Sequence, residues 1–225
     1  MQKCLAVITG DIVGSSKMKA DRRLSLYQFF PALSTLLHDR FGDVFPYPIS
    51  NYRGDGWQAV VTQPEKAIEI CLFIRTFFQF KFQQEHLDTR TAIGLGPVNF
   101  IPAENVSAGD GPAYLISGRL LESMNRARMA IDFTGLSDPF TTEALKNLVV
   151  LLDLIVTGWK PSQSQAVFWA MQGFNQSEIA AKWWPARVKQ PAVSKSLNVA
   201  GWEQVKTSLT SIERLLAHVQ SQEEG

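Results

Sequence analysis

Up to about residue 135 the apolar residues of this chain alternate between two spacings, and beyond that point only one of the two survives. No other feature restricts the fold as much. Strand-type runs occur at "CLAVITG" (4–10), at two β-leaning runs in "YPISNYRGDGWQAVVT" (47–62), at "TRTAIGLGPVNF" (89–100) and at "RMAIDFTG" (128–135). Helix-type runs separate them. "ADRRLSLYQFFPALSTLLHDRF" (20–41) sets Leu24, Tyr27, Phe30, Leu33 and Leu37 on one face, with a kink expected at Pro31. Gln63-Pro64-Glu65 opens a second helix, and "PAYLISGRLLESM" (112–124) reads as a third. Gly54-Asp55-Gly56 marks a hairpin between the two middle strands. The order is β-α-β-β-α-β-α-β, for which a ferredoxin-like α+β sheet with helices packed on it is the most economical arrangement. From residue 136 onward the pattern is helical throughout, so the expected division is 1–135, α+β, followed by 136–225, all-α.

Bulk properties narrow the functional classes. The chain has 225 residues, 45% of them hydrophobic, and a formal net charge of +1. The longest apolar run, "LVVLLDLIVTGW" (148–159), is interrupted by Asp153 and falls short of the ~20 residues a membrane span needs. The N-terminus has neither the length nor the sequel of a secretory signal. Both cysteines lie in apolar runs, and a cytoplasmic location is expected. His38, His86 and His218 have no ligand spacing around them, so no zinc site is indicated.

Two aspartates carry the chemistry. Asp11 follows the first apolar run, where the strand is expected to end, and Asp55 sits at the hairpin tip in "RGDGWQ". Alone, the first reads as a cap and the second as a turn residue. In a β-α-β-β core, however, the first strand and the hairpin are neighbours, so the two carboxylates converge. Paired carboxylates repel unless a cation lies between them, and hard oxygen donors suit Mg2+ or Mn2+ with phosphate oxygens completing the shell. Gly14, Ser15 and Ser16 leave room for phosphates at the amides leading into the first helix. Arg53 and Gly54 flank the hairpin tip on the same side. The stretch "GDIVGSSK" lacks the spacing of a Walker loop.

In order and spacing, "VITGDIVGSS", "RGDGWQAVV", "RTAIGLGPV" and "GPAYLISGRLLES" together resemble the catalytic core of class III nucleotidyl cyclases over about residues 4–134. With its helical tail, the whole chain resembles the SatD family of bacterial proteins. The resemblance implies that Asp11 and Asp55 bind metal, that the Ile12 carbonyl is an accessory ligand, and that Arg119 acts as a transition-state arginine across a dimer interface. The chain also departs from the pattern. Leu115 stands where the cyclases carry a ribose-positioning asparagine, and Asn51 where many carry a base-reading lysine. "AGDG" (108–111) offers no second base-reading residue at the expected offset, although Asp110 is near.

In the tail, "QGFNQSEIAAKWWPARVKQPAVSKSLNVAGW" (172–202) reads as a short helix, a tight connection and a second helix that Gly201 stops. Its "EIA…VS..L..A" pattern resembles the helix-turn-helix of sigma factors and response regulators. Between Ile179 and Trp202 the charged residues are Lys182, Arg187, Lys189 and Lys195, with no acid. Gln190, Ser194, Lys195 and Asn198 would be the exposed side chains of the second helix, able to meet base edges of double-stranded DNA. The same motif also docks proteins. Trp183 and Trp184 are expected in a core or interface, and the apolar side of 202–222 either pairs with a copy of itself or packs on the helix at 141–157. The expectation is a homodimeric regulator that binds a nucleotide with Mg2+ or Mn2+ and contacts DNA or a protein. The alternative is an active cyclase or related phosphotransferase.

Overall fold

The protein is described by a computed structural model covering residues 4–15, 20–52, 54–135 and 138–223. Five strands and eight helices make up the described residues. β1 (Cys4–Val13), α1 (Ala20–Phe41), β2 (Ser50–Tyr52), β3 (Gly56–Val61), α2 (Ala67–Lys81), β4 (Asp88–Pro97), α3 (Pro112–Ser123) and β5 (Met129–Phe133) build a mixed α+β unit. α4 (Pro139–Thr157), α5 (Pro161–Met171), α6 (Gln176–Lys182), α7 (Gln190–Ala200) and α8 (Trp202–Glu223) follow. α1 is continuous through Pro31; Leu24 and Tyr27 have side chains outside the described set.

The sheet order is β2-β3-β1-β4-β5, antiparallel except for the parallel pair β4–β5. β1 therefore lies in the middle, with a partner on each side. Its odd and even residues serve two different cores. Ala6, Ile8 and Ile12 face α1 and α2 in the larger one. Leu5 and Val7 face α3 in a smaller one that includes Val60, Val106, Ala113 and Tyr114. α3 comes close to the sheet because β4 presents bare backbone there: a Cβ on Gly94 would lie 2.3 Å from the Ala113 carbonyl oxygen.

The larger core does not stop at the end of β5. Phe77 of α2 stacks on Phe168 of α5 at 4.8 Å between ring centroids, and Phe73 and Phe80 also meet Phe168. A buried ionic cluster lies beside it. Arg75, 1% exposed, donates to Asp88 through Nε (3.0 Å) and Nη2 (2.8 Å), to Asp153 of α4 through Nη1 (2.6 Å), and to Thr157 (2.9 Å). The other Asp153 oxygen accepts from the Arg128 amide at 2.8 Å. The acid that interrupts the apolar run at 148–159 is thus the point at which α4 is tied to α2 and β4.

α8 buries Val205, Leu209, Ile212, Leu216 and Val219 within its own chain, so that face is unavailable for pairing with a copy. α4 differs. Leu145, Val149, Leu152 and Val156 point inward, while Phe140, Leu148, Val150, Leu151, Leu154 and Ile155 are exposed. No helix of the described residues is long and apolar enough to cross a membrane.

Candidate functional site

Asp11 lies inside β1, not at its end. Asp11 pairs with Gly56 on one side and Arg90 on the other, and the strand runs on to Val13 because β4 continues the ladder with Thr89 and Asp88. Beyond Gly56 the hairpin tip folds over the strand, and the Ile12 amide donates to the Asp55 carbonyl at 3.1 Å. Asp55, in the turn just before β3, thus lies next to the Gly56 that pairs with Asp11. Gly54 has φ +83° at the tip and Gly14 has φ +89° in the turn after β1, a conformation favouring residues without a Cβ. The Ser15 hydroxyl donates to Asp55 Oδ2 at 3.3 Å, so the turn and the hairpin tip meet. Ser16 and Arg53 lie outside the described residues.

A residue that sequence reasoning passed over dominates the corner. Arg90, the cross-strand partner of Asp11, donates to Asp11 Oδ1 through Nε at 2.8 Å and to Oδ2 through Nη2, and its Nη1 donates to the Met124 carbonyl at 2.7 Å. Both side chains are 26% exposed. The hydrogen bond to Asp11 holds the Arg90 guanidinium above its ordinary range against a partial loss of solvation, and the charges of Asp11 and Asp55 act in the same direction. Arg90 is visible in "TRTAIGLGPV", but what makes it a site residue is the β1–β4 register, which no local spacing reveals.

The backbone beneath is fixed from the other face. The Trp57 indole N–H donates to Thr89 Oγ1 at 3.0 Å, and that hydroxyl donates to the Asp11 carbonyl at 2.8 Å. Trp57 is fully buried and lies over Gly10, where a Cβ would fall 2.3 Å from the ring. Asn51 donates to the Gly56 carbonyl at 3.0 Å and so closes the hairpin.

A carboxylate on β1 and another on the adjacent hairpin turn are of a donor type that suits a hard divalent cation. Among the described residues no group of three or more His, Cys, Asp or Glu side chains comes together that could hold a metal. Magnesium commonly takes one or two protein carboxylates and draws the rest of its shell from phosphates and water. The pair therefore fits an ion that arrives with a polyphosphate, in competition with Arg90 for Asp11. Arg119 is exposed on α3, and neither carboxylate is among its partners in the described residues. Leu115, one turn earlier, is 55% exposed.

In the tail, Asn175 caps α6 by accepting from the Ser177 and Glu178 amides. Ile179, Ala180, Val193 and Leu197 point inward, and Gly201 ends α7 with φ +64°. The connection between α6 and α7, residues 183–189, is seven residues long, so the tight connection expected from the sequence is not there. Its "WWPARVK" stretch carries Val188, partly buried against the core, and this anchoring takes up the extra length. Lys182, Arg187, Lys189, Gln190, Lys195 and Asn198 are exposed and Ser194 is half-buried. The Lys182 ammonium lies over the Phe174 ring at 4.4 Å and the Trp169 ring at 5.3 Å. Trp183 packs on the core, whereas Trp184 is 43% exposed.

No family model matches the chain, and no curated protein matches it. Among solved structures it is similar to a bacterial light-regulated adenylyl cyclase, at 18% identity and a TM-score of 0.43 over 58% of this chain and 43% of that one. It is also similar to an adenylate/guanylate cyclase/hydrolase from Silicibacter pomeroyi, at 18% identity and a TM-score of 0.42 over 56% of this chain and 72% of that one. The chain thus spans under half the length of the first of these structures.

Proposed function

We propose that this protein is a nucleotide-responsive regulator. Its first part, 1–135, with a ferredoxin-like core, binds a nucleoside polyphosphate together with Mg2+ or Mn2+ at the Asp11–Asp55 corner. Its second part, 136–225, contacts DNA or a protein partner through α6 and α7. The observation that supports the reading is the Ile12–Asp55 backbone bond, which brings the hairpin tip against β1 next to Asp11, with the Ser15 hydroxyl donating to Asp55 and the Asp55 charge acting on Arg90 beside Asp11. A divalent cation there would neutralise phosphate charge. The exposed cations Lys182, Arg187, Lys189 and Lys195 give the helical part a footprint for phosphates, and Gln190, Ser194 and Asn198 add groups able to meet base edges. The test is calorimetric titration of ATP, GTP and their diphosphates with and without Mg2+. Saturable binding that Asp11→Ala and Asp55→Ala abolish is expected. If both variants bind every nucleotide as wild type does, the assignment fails.

The partner copy of a homodimer is proposed to dock on the outer face of α4. From Asn147 to Gly158 the exposed residues carry no charge, and the large apolar ones expose on the order of 500 Å², within the range of the largest patch on a monomer. Two such faces closing on each other would bury about 1,000 Å², the lower bound for a specific interface. A single uncharged helical stripe can pack against its own two-fold copy without leaving a charge unpaired. Sedimentation of wild type against Leu151→Glu/Leu154→Glu decides it: a dimer that dissociates is expected, and a wild-type monomer, or an unchanged dimer in the variant, refutes it.

The exposure of Arg119 favours a second reading, an active nucleotidyl cyclase or related phosphotransferase, since a residue that acts across an interface must be accessible. A pyrophosphate-release assay with ATP and GTP in Mn2+ separates catalysis from sensing.

A further inference from the structure

The Asp11 corner already holds a cation, and that cation is covalently part of the chain. Arg90 meets both Asp11 oxygens with a two-pronged fork, and its remaining nitrogen is spent on the Met124 carbonyl at 2.7 Å, just past the end of α3. All three guanidinium nitrogens are thereby engaged. A fork of this kind matches carboxylate geometry in a way a lysine cannot, and the charge persists at every accessible pH. The register pair Asp11–Arg90 places the two side chains on the same face of the sheet, so the contact follows from strand pairing without any loop rearrangement. Asp55 is held differently: it is exposed and accepts from Ser15 at 3.3 Å, and its charge also acts on Arg90.

We propose that Arg90 is the resident counter-ion of this site and closes Asp11 to free divalent cations, so that Mg2+ or Mn2+ engages Asp11 only in exchange for the guanidinium. The inference deepens the metal–nucleotide reading above and rests on it for the class of ligand. It follows from the donor count. Without phosphate oxygens the corner offers a free cation two carboxylates, and one of these has both oxygens bonded. An ion that arrives alone gains too little to displace Arg90, whereas one that brings its own phosphate ligands needs fewer protein donors. An ordinary surface ion pair at the same register would also stabilise the sheet, but it would not govern metal uptake. That difference is what the experiment reads.

The full-length protein is titrated with Mn2+ in the absence of nucleotide, and the free aquo-ion is followed by electron paramagnetic resonance. Wild type is expected to leave Mn2+ free at millimolar concentration. Arg90→Gln is expected to bind one equivalent at least roughly tenfold tighter, because removal of the competing guanidinium leaves both Asp11 oxygens open to the ion. Arg90→Gln/Asp11→Asn is expected to lose that gain. Equal Mn2+ binding by wild type and Arg90→Gln overturns the proposal, and so does a gain that survives Asp11→Asn. If Arg90→Gln does not fold, the wild-type Arg90 Nε–H resonance gives the same answer: it is expected to be unmoved by millimolar Mg2+, and a shift overturns the proposal. The two readings fail separately. A protein that binds no nucleotide under any condition but shows the Mn2+ contrast loses the function and keeps the counter-ion; nucleotide binding without the contrast does the reverse.

Discussion

Replacing Arg75 by Met takes one cation out of a cluster in which it is the common partner of two carboxylates. Arg75 is 1% exposed, and the side chains of Asp88 and Asp153 are 20% and 10% exposed. The substitution keeps much of the volume and removes all four donated bonds. It leaves two largely buried acids with only neutral close donors, the Thr89 amide on Asp88 and the Arg128 amide and Thr157 hydroxyl on Asp153, and the Arg128 guanidinium no nearer than 3.9 Å to Asp88. Removing one member of a buried ion pair costs about 3–5 kcal/mol, because the partner keeps its desolvation cost and loses its compensation. At about 2–4 °C per kcal/mol for a chain of this size, Tm is expected to fall by roughly 6–20 °C. Urea unfolding followed by tryptophan fluorescence measures the loss directly. In Arg75→Met/Asp153→Asn the second change removes one of the stranded charges, so the combined loss is expected to fall short of the sum by about 1–3 kcal/mol. A loss below about 1 kcal/mol for the single variant would mean the cluster is effectively hydrated, and strict additivity would mean the two residues do not share the interaction. Either result refutes the reasoning.

Gly94→Ala places a methyl group 2.3 Å from the Ala113 carbonyl oxygen and 2.7 Å from the Ser117 amide, and neither backbone atom can turn aside. A loss of about 1–3 kcal/mol in urea unfolding is expected, with α3 pushed off the sheet. Burial pushes the Cys71 thiol up to about 12, against a weaker opposing hydrogen bond with Thr91. In native protein it is expected to remain unmodified by iodoacetamide at mildly alkaline pH and to react once denaturant is added, as mass spectrometry reads. Asp138 caps α4, and its carboxyl is held below the ordinary range first by the Thr141 hydroxyl and then by backbone amides, Phe140 among them. A folded-state pKa below the unfolded one gives stability that is present at neutral pH and lost as pH falls through the folded value. Wild type and Asp138→Ala should therefore differ near pH 7 and converge in acid, as thermal melts across pH report.

The order of elements is legible in the sequence because each has its own apolar period, and the hairpin is legible from Gly54-Asp55-Gly56. The end of β1 is not. Ile12 and Val13 look like the start of a loop until their β4 partners Thr89 and Asp88 hold them in the ladder. Arg90 escapes for a related reason: a cross-strand neighbour depends on register, and register depends on the whole sheet. α4 is a third case. "LVVLLDLIV" is apolar on every side, so periodicity cannot say which face the core takes, and only the position of Asp153 beside Arg75 picks it out. In the tail, caps and apolar spacing locate both short helices, but nothing in "WWPARVK" announces that Trp183 turns inward while Trp184 turns out.

The Phe77–Phe168 stack has a practical corollary for anyone who wishes to study the first 135 residues in isolation. Cutting the chain there would strip the outer side of α2 of its cover, leaving Phe73, Phe77 and Phe80 without their shared partner Phe168 and Arg75 without Asp153. Such a fragment should come out of the cell as inclusion bodies, and the tail is better regarded as one wall of the core around α2 than as cargo hung from it.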